Sequence, residues 1–358
     1  MFSRRFVWLL FAFVASSPGT NAEERRGLDI YFLDTEGGAA TLIITLRHES
    51  VLIDCGNPGP RDAERIHQAA TRAGLKAIDH LIITHWHSDH YGGVGRLSKL
   101  LPIHHYYDRG IPDKLAEDPK NFPTLIAAYR AASGGKSRTL RPGDEIALKP
   151  TEGGVALRLL CLCGGGTVVP EKDGAPPNPL AKDHNPKPKD TSDNANSLGF
   201  LLSFGGFRFL DLGDLTWNIE HKLVSPSDKI GKVDVYQVTH HGLDISNNPV
   251  LLKTVSPRVA VFNNGARKGC HPSVTTTLRR LPDIQAIYQM HRNVTVGAAE
   301  NTDPAFIANA DEKCQGESIH LAVAADGRSF TVTVGDKGKP RRYETRQAKE
   351  SSGRGSGK

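Results

Sequence analysis

In the stretch TLIITLRHESVLIDCGN, Thr41 to Asn57, two apolar runs flank a polar turn, and SLGFLLSFGGFRFLDLGD, Ser197 to Asp214, repeats the plan. Each reads as a strand, a turn and a second strand that stops at Asp-x-Gly and a polar residue. Short β-branched apolar runs bounded by glycine and polar clusters are the mark of strands. The likeness continues downstream, where DHLIITH, Asp79 to His85, parallels DVYQVTH, Asp234 to His240, with the same six-residue step from Asp to His. Strands that read as continuous apolar runs need cover on both faces. Two αβ halves of one design therefore predict an α/β fold, an αββα four-layer sandwich with sheet against sheet and helices outside, built as one duplicated domain.

The segments outside that plan differ in composition. Gly164 to Asn196 is rich in Gly, Pro, Lys and Asp, cannot supply a core, and predicts a long loop leading into the second half. Loops of that length in compact domains are often lids, and this one enters beside the strand ends of the second half. At the N-terminus two arginines precede ten apolar residues, Phe6 to Ala15, and then small residues up to Ala22. That pattern predicts a signal peptide over 1–22, since a bilayer span needs about 20 apolar residues. A periplasmic or secreted protein with no integral membrane span would remain after cleavage. Residues 27–336 are assigned to the folded domain of this 358-residue chain, and 337–358, with eight Lys or Arg against two Glu, to a basic disordered tail.

Charge then changes less than its total suggests. The formal net charge is +6, but the signal and tail hold more than that excess, which leaves the body between them near −2. Strong non-specific duplex binding, which needs several Lys or Arg contacts to phosphate, is disfavoured. The five cysteines, Cys55, Cys161, Cys163, Cys270 and Cys314, are an odd number for an exported chain, so at most two disulfides can form.

Chemistry concentrates in LIITHWHSDHYGGV, Leu81 to Val94, where three histidines and one aspartate fall within six positions. The apolar run before it places the cluster at a strand end, and Gly92 and Gly93 are expected to break the chain beyond it. On a helix His85 and His87 would stand about 200° apart and could not share an ion, whereas a loop leaving a strand brings them together. Imidazole and carboxylate are ligands of zinc and related ions, and ligands this close in sequence lose little chain entropy on converging. Asp89 and His90 are adjacent and point different ways, which suits a second ion. In the second half, Asp214 closes the strand of FRFLDLGD, where the two oxygens of a carboxylate can bind separate cations. VTHHGLDIS and GARKGCHPS add His240, His241 and His271. The repeat sets His240 where His85 stands, which favours it over His241 as a metal-facing group, and Pro272 holds His271 extended in a loop.

T-H-W-H-S-D-H-Y-G-G resembles the H-x-H-x-D-H signature of the metallo-β-lactamase superfamily. The order H-x-H-x-D-H, N-x-N-S, G-D, H-H-G and H-P is similar to the metallo-hydrolase domain of ComEC-type DNA-uptake proteins. Asp29 to Ile43 also resembles that group's opening stretch, although Thr35, Glu36 and Ala39 depart from it, and the likeness runs from about Leu28 to Leu281. It implies two divalent metal ions, zinc or manganese. His85 and His87 would hold the first, Asp89, His90 and one of His240 or His271 the second, and Asp214 would bridge them. Asp54 would support the site through hydrogen bonds without ligating. Where other branches carry a third histidine, SDNANSLG offers Asp193, Asn194 or Asn196, and such donors shift preference toward harder ions.

The activity so implied is metal-dependent hydrolysis by a hydroxide held between the two ions. Asp89, His241 and His271 form the expected catalytic set, with one of these histidines protonating the leaving oxygen. The preferred substrate is a phosphodiester, either a small molecule or nucleic acid. The alternatives are another ester, a lactone or an amide, β-lactams included, and a metal-binding protein without turnover.

Overall fold

The computed structural model describes residues 27–151, 154–311, 314 and 316–346. The signal expected over 1–22 and the chain beyond 346 lie outside the described residues. The first half supplies β1 (Leu28–Phe32), β2 (Thr41–Ile44), β3 (Ser50–Ile53), β4 (Ile78–Ile82), β5 (Ile103–Asp108) and β6 (Arg138–Thr139). The second supplies β7 (Glu145–Ile146), β8 (Leu157–Gly164), β9 (Thr167–Val168), β10 (Gly199–Phe204), β11 (Phe207–Asp211), β12 (Val235–Gln237), β13 (Val259–Phe262), β14 (Ala286–His291) and β15 (Ile307–Asn309). The chain then returns to the first sheet with β16 (Ile319–Val323), β17 (Ser329–Val334) and β18 (Arg341–Glu344). The sheet orders are β18-β17-β16-β1-β2-β3-β4-β5-β6 and β15-β14-β13-β12-β11-β10-β8-β7, with β9 paired to β8.

Side-chain alternation accounts for the layers. In β2 to β4, Ile43, Val51, Ile53 and Ile82 point into the core between the sheets, where they join Phe200, Phe209, Val235 and Val259. Their neighbours Leu42, Leu52, Leu81 and Ile83 point the other way, against α1 (Pro60–Arg72), α3 (Val94–Leu100) and α4 (Phe122–Ser133). Between β4 and α3 lies the one-turn α2 (Ser88–Tyr91). The outer face of the second sheet is covered by α6 (Pro249–Val255) and α7 (Pro272–Arg279), with the short α5 (Trp217–Lys222) at its edge. With a period of two, one apolar run serves two cores, which is why these strands read as unbroken. The four layers are those expected from the repeat. β3 pairs parallel with β4, and β11 pairs parallel with β12.

Two expectations need correction. The tail does not become irregular at Lys337, because Arg341–Glu344 pairs antiparallel with β17 and Tyr343 packs under it, its hydroxyl 2.7 Å from that of Tyr288. Arg346 then pairs with Asp283 at 3.0 Å. One aromatic residue at the right parity suffices to seat an edge strand, and average composition conceals it. The folded domain therefore runs past 336. The segment 164–196 is a loop as expected, but it is tied down: Trp217 Nε1 donates to the Asn185 carbonyl at 2.9 Å, and the rings of His184 and His221 stack 3.8 Å apart. All five cysteines are free, and Cys161 and Cys163 lie in β8 as strand residues. Among the described residues, no helix is long and apolar enough to cross a membrane.

Candidate metal centre

Parallel strands expose their carboxyl ends along one edge, and ligand-binding groups collect there. After β4, His85 and Trp86 run through a loop to His87, which has extended backbone (φ −78°, ψ 141°) and caps α2, whose single turn carries Asp89 and His90. Gly92 and Gly93 both have right-handed helical backbone, so they do not break the chain. They allow close approach instead. A Cβ at Gly92 would stand 2.4 Å from Pro58 and one at Gly93 2.1 Å from the Cys55 carbonyl. Across the cleft, β12 ends at Gln237 and the chain runs through Val238 and Thr239 to His240 and His241, which both take left-handed backbone, φ 57° and 54°. Such backbone costs an L-residue roughly 1 kcal/mol or more and persists where the surroundings enforce it. Here the His240 amide donates to the Gly213 carbonyl at 3.0 Å, and Cys270 donates to the His241 carbonyl at 2.8 Å.

The resulting geometry centres on Asp214. Its Oδ2 lies 3.2 Å from His90 Nε2, 3.3 Å from His241 Nε2, 3.5 Å from His240 Nε2 and 3.9 Å from His85 Nε2. Two compact triads result, His85–His90–Asp214 and Asp89–His90–His241. In the second, Asp89 Oδ2 is 3.4 Å from His241 Nε2 and 3.6 Å from His90 Nε2. The ring nitrogens facing away are held. His90 Nδ1 donates to Asp54 Oδ2 at 2.6 Å, His241 Nδ1 lies 3.2 Å from the Asn263 carbonyl, and His240 Nδ1 lies 3.1 Å from Ser246 Oγ. Asp54 also accepts from the Thr84 amide and hydroxyl, both at 2.8 Å. Such outer hydrogen bonds orient the imidazoles of metal sites.

Burial raises the pKa of the Asp214 carboxyl, but the imidazoles of His241, His90 and His240 outweigh it and hold the group well below its ordinary range. Burial likewise dominates at His240, whose pKa is pushed down to about 4 against the pull of Asp214. A divalent ion fits these residues. His85 Nε2, Asp214 Oδ1 and Asn194 Oδ1 are buried without a hydrogen-bond partner, a costly state that ligation relieves. The donors are nitrogen and carboxylate or amide oxygen, the set that zinc and manganese accept.

Several expected site residues are placed otherwise than expected. His271 is exposed at the N-cap of α7, bonded to Ser273, and joins neither triad, because the chain reaches α7 only after the turn beyond His241. As placed, it is not among the candidate metal ligands. His241, expected as an acid, lies with Asp89 and His90 in a group that could hold a metal ion, while His240 faces Asp214 and Asn194. Two consecutive left-handed residues bring both rings to the cleft, which the repeat could not show. Asp193 is also corrected: its oxygens accept from the Trp86 amide at 2.7 Å and from the Arg109 guanidinium, so it braces the His85–His87 loop. Asn196 bonds to Asp193, and Asn194 alone of the three turns to the site, 3.3 Å from His240 Nε2. His87 lies beside the triads, its ring centroid 4.7 Å from that of His85 and its Nε2 3.3 Å from Glu117. Glu117 and Arg109 were not anticipated, since each sits in a polar loop without a motif. Lys268, with Nζ 2.5 Å from Asp89 Oδ2, carried no signal either.

Sequence comparison agrees with this arrangement. Residues 34–185 match the metallo-beta-lactamase superfamily. ComE operon protein 3 of Bacillus subtilis (strain 168) is 27% identical over 201 residues, 56% of this chain and 22% of that protein. Ribonuclease Z of Clostridium tetani (strain Massachusetts / E88) is 34% identical over 74 residues, 19% of this chain and 22% of that protein. The chain thus spans about a fifth of the length of these relatives. Among solved structures, the metallo-beta-lactamase fold protein YhfI from Bacillus subtilis aligns over 73% of this chain and 95% of its own, with 11% identity and a TM-score of 0.42. The matched segment takes in the strand-end loop that carries His85, His87, Asp89 and His90, so the similarity to the metallo-β-lactamase superfamily covers the first half of the site.

Proposed function

We propose that this protein is a metal-dependent phosphodiesterase acting outside the cytosol. The superfamily consists mostly of metal-dependent hydrolases, which supports hydrolysis in general. The phosphodiester reading rests on one observation above all: a buried carboxylate, Asp214, stands among four imidazoles, and its triad with His85 and His90 shares His90 with the triad of Asp89 and His241. That donor set suits a pair of cations, and paired cations suit a charged phosphoryl oxygen. The similarity to a ribonuclease points the same way.

His85, His87 and Asn194 would serve one ion, Asp89, His90 and His241 the other, with Asp214 between them. Bound there, the ions would lower the pKa of a water and offset charge on the phosphoryl group. The chain's residues do the rest. Asp54 keeps the His90 proton on Nδ1 and so leaves Nε2 free to ligate. His240 is kept neutral because burial drives its pKa to about 4, so its Nε2 faces Asp214 and Asn194 uncharged. Export follows from the N-terminal pattern of 1–22.

Chelated protein reloaded with zinc or manganese and assayed on bis-p-nitrophenyl phosphate, single-stranded DNA, nitrocefin and a lactone panel tests the reading. Metal-restored turnover of the phosphodiester is expected. Turnover confined to nitrocefin or lactones would overturn it.

A further inference from the structure

Lys268 holds a metal-ligand carboxylate without being a ligand. Its ammonium sits 2.5 Å from Asp89 Oδ2, the same oxygen that lies 3.4 Å from His241 Nε2. We propose that Lys268 is the specificity-determining residue of this site, selecting substrates that carry a negative charge at the reacting group, a phosphodiester monoanion above all. The inference rests on the hydrolase reading given above.

The backbone beneath Lys268 is clamped. Gly265 and Lys268 form a tight turn, with the Gly265 amide donating to the Lys268 carbonyl at 3.0 Å, and Val294 donates to the Ala266 carbonyl at 2.9 Å. On one side the turn packs against the Glu36–Gly37 loop of the first half, where a Cβ on Gly37 would come 3.3 Å from Lys268 Cβ. On the other, Gly269 with φ +79° passes so close to His241 that a Cβ would stand 2.1 Å from its carbonyl oxygen. Glycine is needed at these points for the turn to reach the cleft from both halves. Lys268 is therefore delivered to the rim by a fixed base.

Its charge is available for a ligand. The nearby carboxylate of Glu36 is engaged by Arg61 at 2.9 Å and Arg65 at 3.1 Å. Asp89 is the carboxylate bound to Lys268, and an ion at Asp89, His90 and His241 would compete for that same oxygen. The Lys268 side chain is 40% exposed. An ammonium displaced from Asp89 stays within one side chain's reach of the ion site, where a compact, hydrated point charge pairs well with a phosphoryl oxygen.

The test uses the metal-loaded full chain with Lys268→Met and Lys268→Arg, read on anionic bis-p-nitrophenyl phosphate and neutral p-nitrophenyl acetate, with inorganic phosphate binding followed by calorimetry and metal content by elemental analysis. In the Met variant the KM for the phosphodiester should rise about tenfold with kcat less affected, phosphate should bind about tenfold more weakly, and the acetate KM should not move. The Arg variant should keep most of the phosphate affinity, and metal content should be unchanged or higher in both. Equal losses on the two esters, unaltered phosphate affinity, phosphate that fails to bind the native protein, or a loss of metal in the Met variant would each overturn the assignment. Absence of turnover on either ester would sink the hydrolase reading, while the phosphate titration would still decide the role of Lys268.

Discussion

Asp54-Cys-Gly-Asn57, after β3, and Asp211-Leu-Gly-Asp214, at the end of β11, occupy equivalent places in the two halves, each beside a parallel strand that leads into Thr-His. The same four positions serve different ends. In the first half Asp54 is the working carboxylate, holding the Thr84 amide and His90 Nδ1, while Asn57 bonds to Asp62 and the Thr35 carbonyl. In the second half the work moves three residues on. Asp211 accepts only from the Gly213 amide at 3.0 Å and its Oδ2 has no partner, while Asp214 stands among the imidazoles. The histidines diverge as well: after His85 the chain needs a loop and a helical turn to present His90, whereas His241 follows His240 directly because both residues are left-handed. Duplication thus supplies an edge with two strand ends. One half then contributes hydrogen-bonded support for the ligands and the other the central charge.

Exchanging the fourth positions should produce the largest effect. Asp214→Asn keeps the shape but removes the charge that offsets bound cations, so metal content should fall to near zero and hydrolysis by about a thousandfold or more. Asn57→Ala, at the matching place, should keep its metal and lose about 1 kcal/mol of stability through its broken hydrogen bonds. Elemental analysis and denaturant unfolding measure both. An Asp214→Asn protein that retained two equivalents of metal would break the comparison at its centre.

The first positions should separate less sharply. Asp54→Asn weakens the brace on His90 and should lower metal affinity about 10- to 100-fold, the usual cost of losing an outer-shell carboxylate. Asp211→Asn should leave metal affinity within about threefold, since Asp211 touches no ligand. Competition with a chelating dye resolves the two. Equal losses would mean that both aspartates support the site.

Much of this was legible in the sequence because it is local. The duplicated strand pairs, the His85–His90 loop and Asp214 follow from runs of adjacent residues, and a period-two strand buried on both faces leaves an unbroken apolar signature. The illegible features depend on backbone handedness or distant pairing. Nothing in V-T-H-H-G announces two consecutive left-handed histidines, which bring the rings of both His240 and His241 to Asp214. Asp193 looked like a ligand because its neighbours align with one, yet Arg109, far away in sequence, claims its carboxylate. Arg341–Glu344 was lost in a basic tail because one tyrosine decides its fate.

The finest probe of the comparison is the pH response of Asp211. Burial pushes its carboxyl from an ordinary 3.8 up to about 7, because one oxygen has no donor and the other has a single backbone amide. Below pH about 4 the group is protonated in both the native and the unfolded chain. As pH rises from there to about 7, the unfolded chain releases this proton and the native state keeps it, so the native state binds more protons and stability falls with rising pH. Above about 7 both forms are ionised and this slope ends. Asp211→Asn removes the titration but preserves the acceptor for Gly213, so the metal-free variant should lack a decline on the order of 3 kcal/mol between pH 4.5 and 8. Urea unfolding of chelated wild-type and variant proteins at both ends of that range supplies the double difference, in which the other titrating groups cancel. Parallel curves would show that Asp211 is ionised in the native state at low pH, and that the second half, like the first, uses its strand-end aspartate as a charged support.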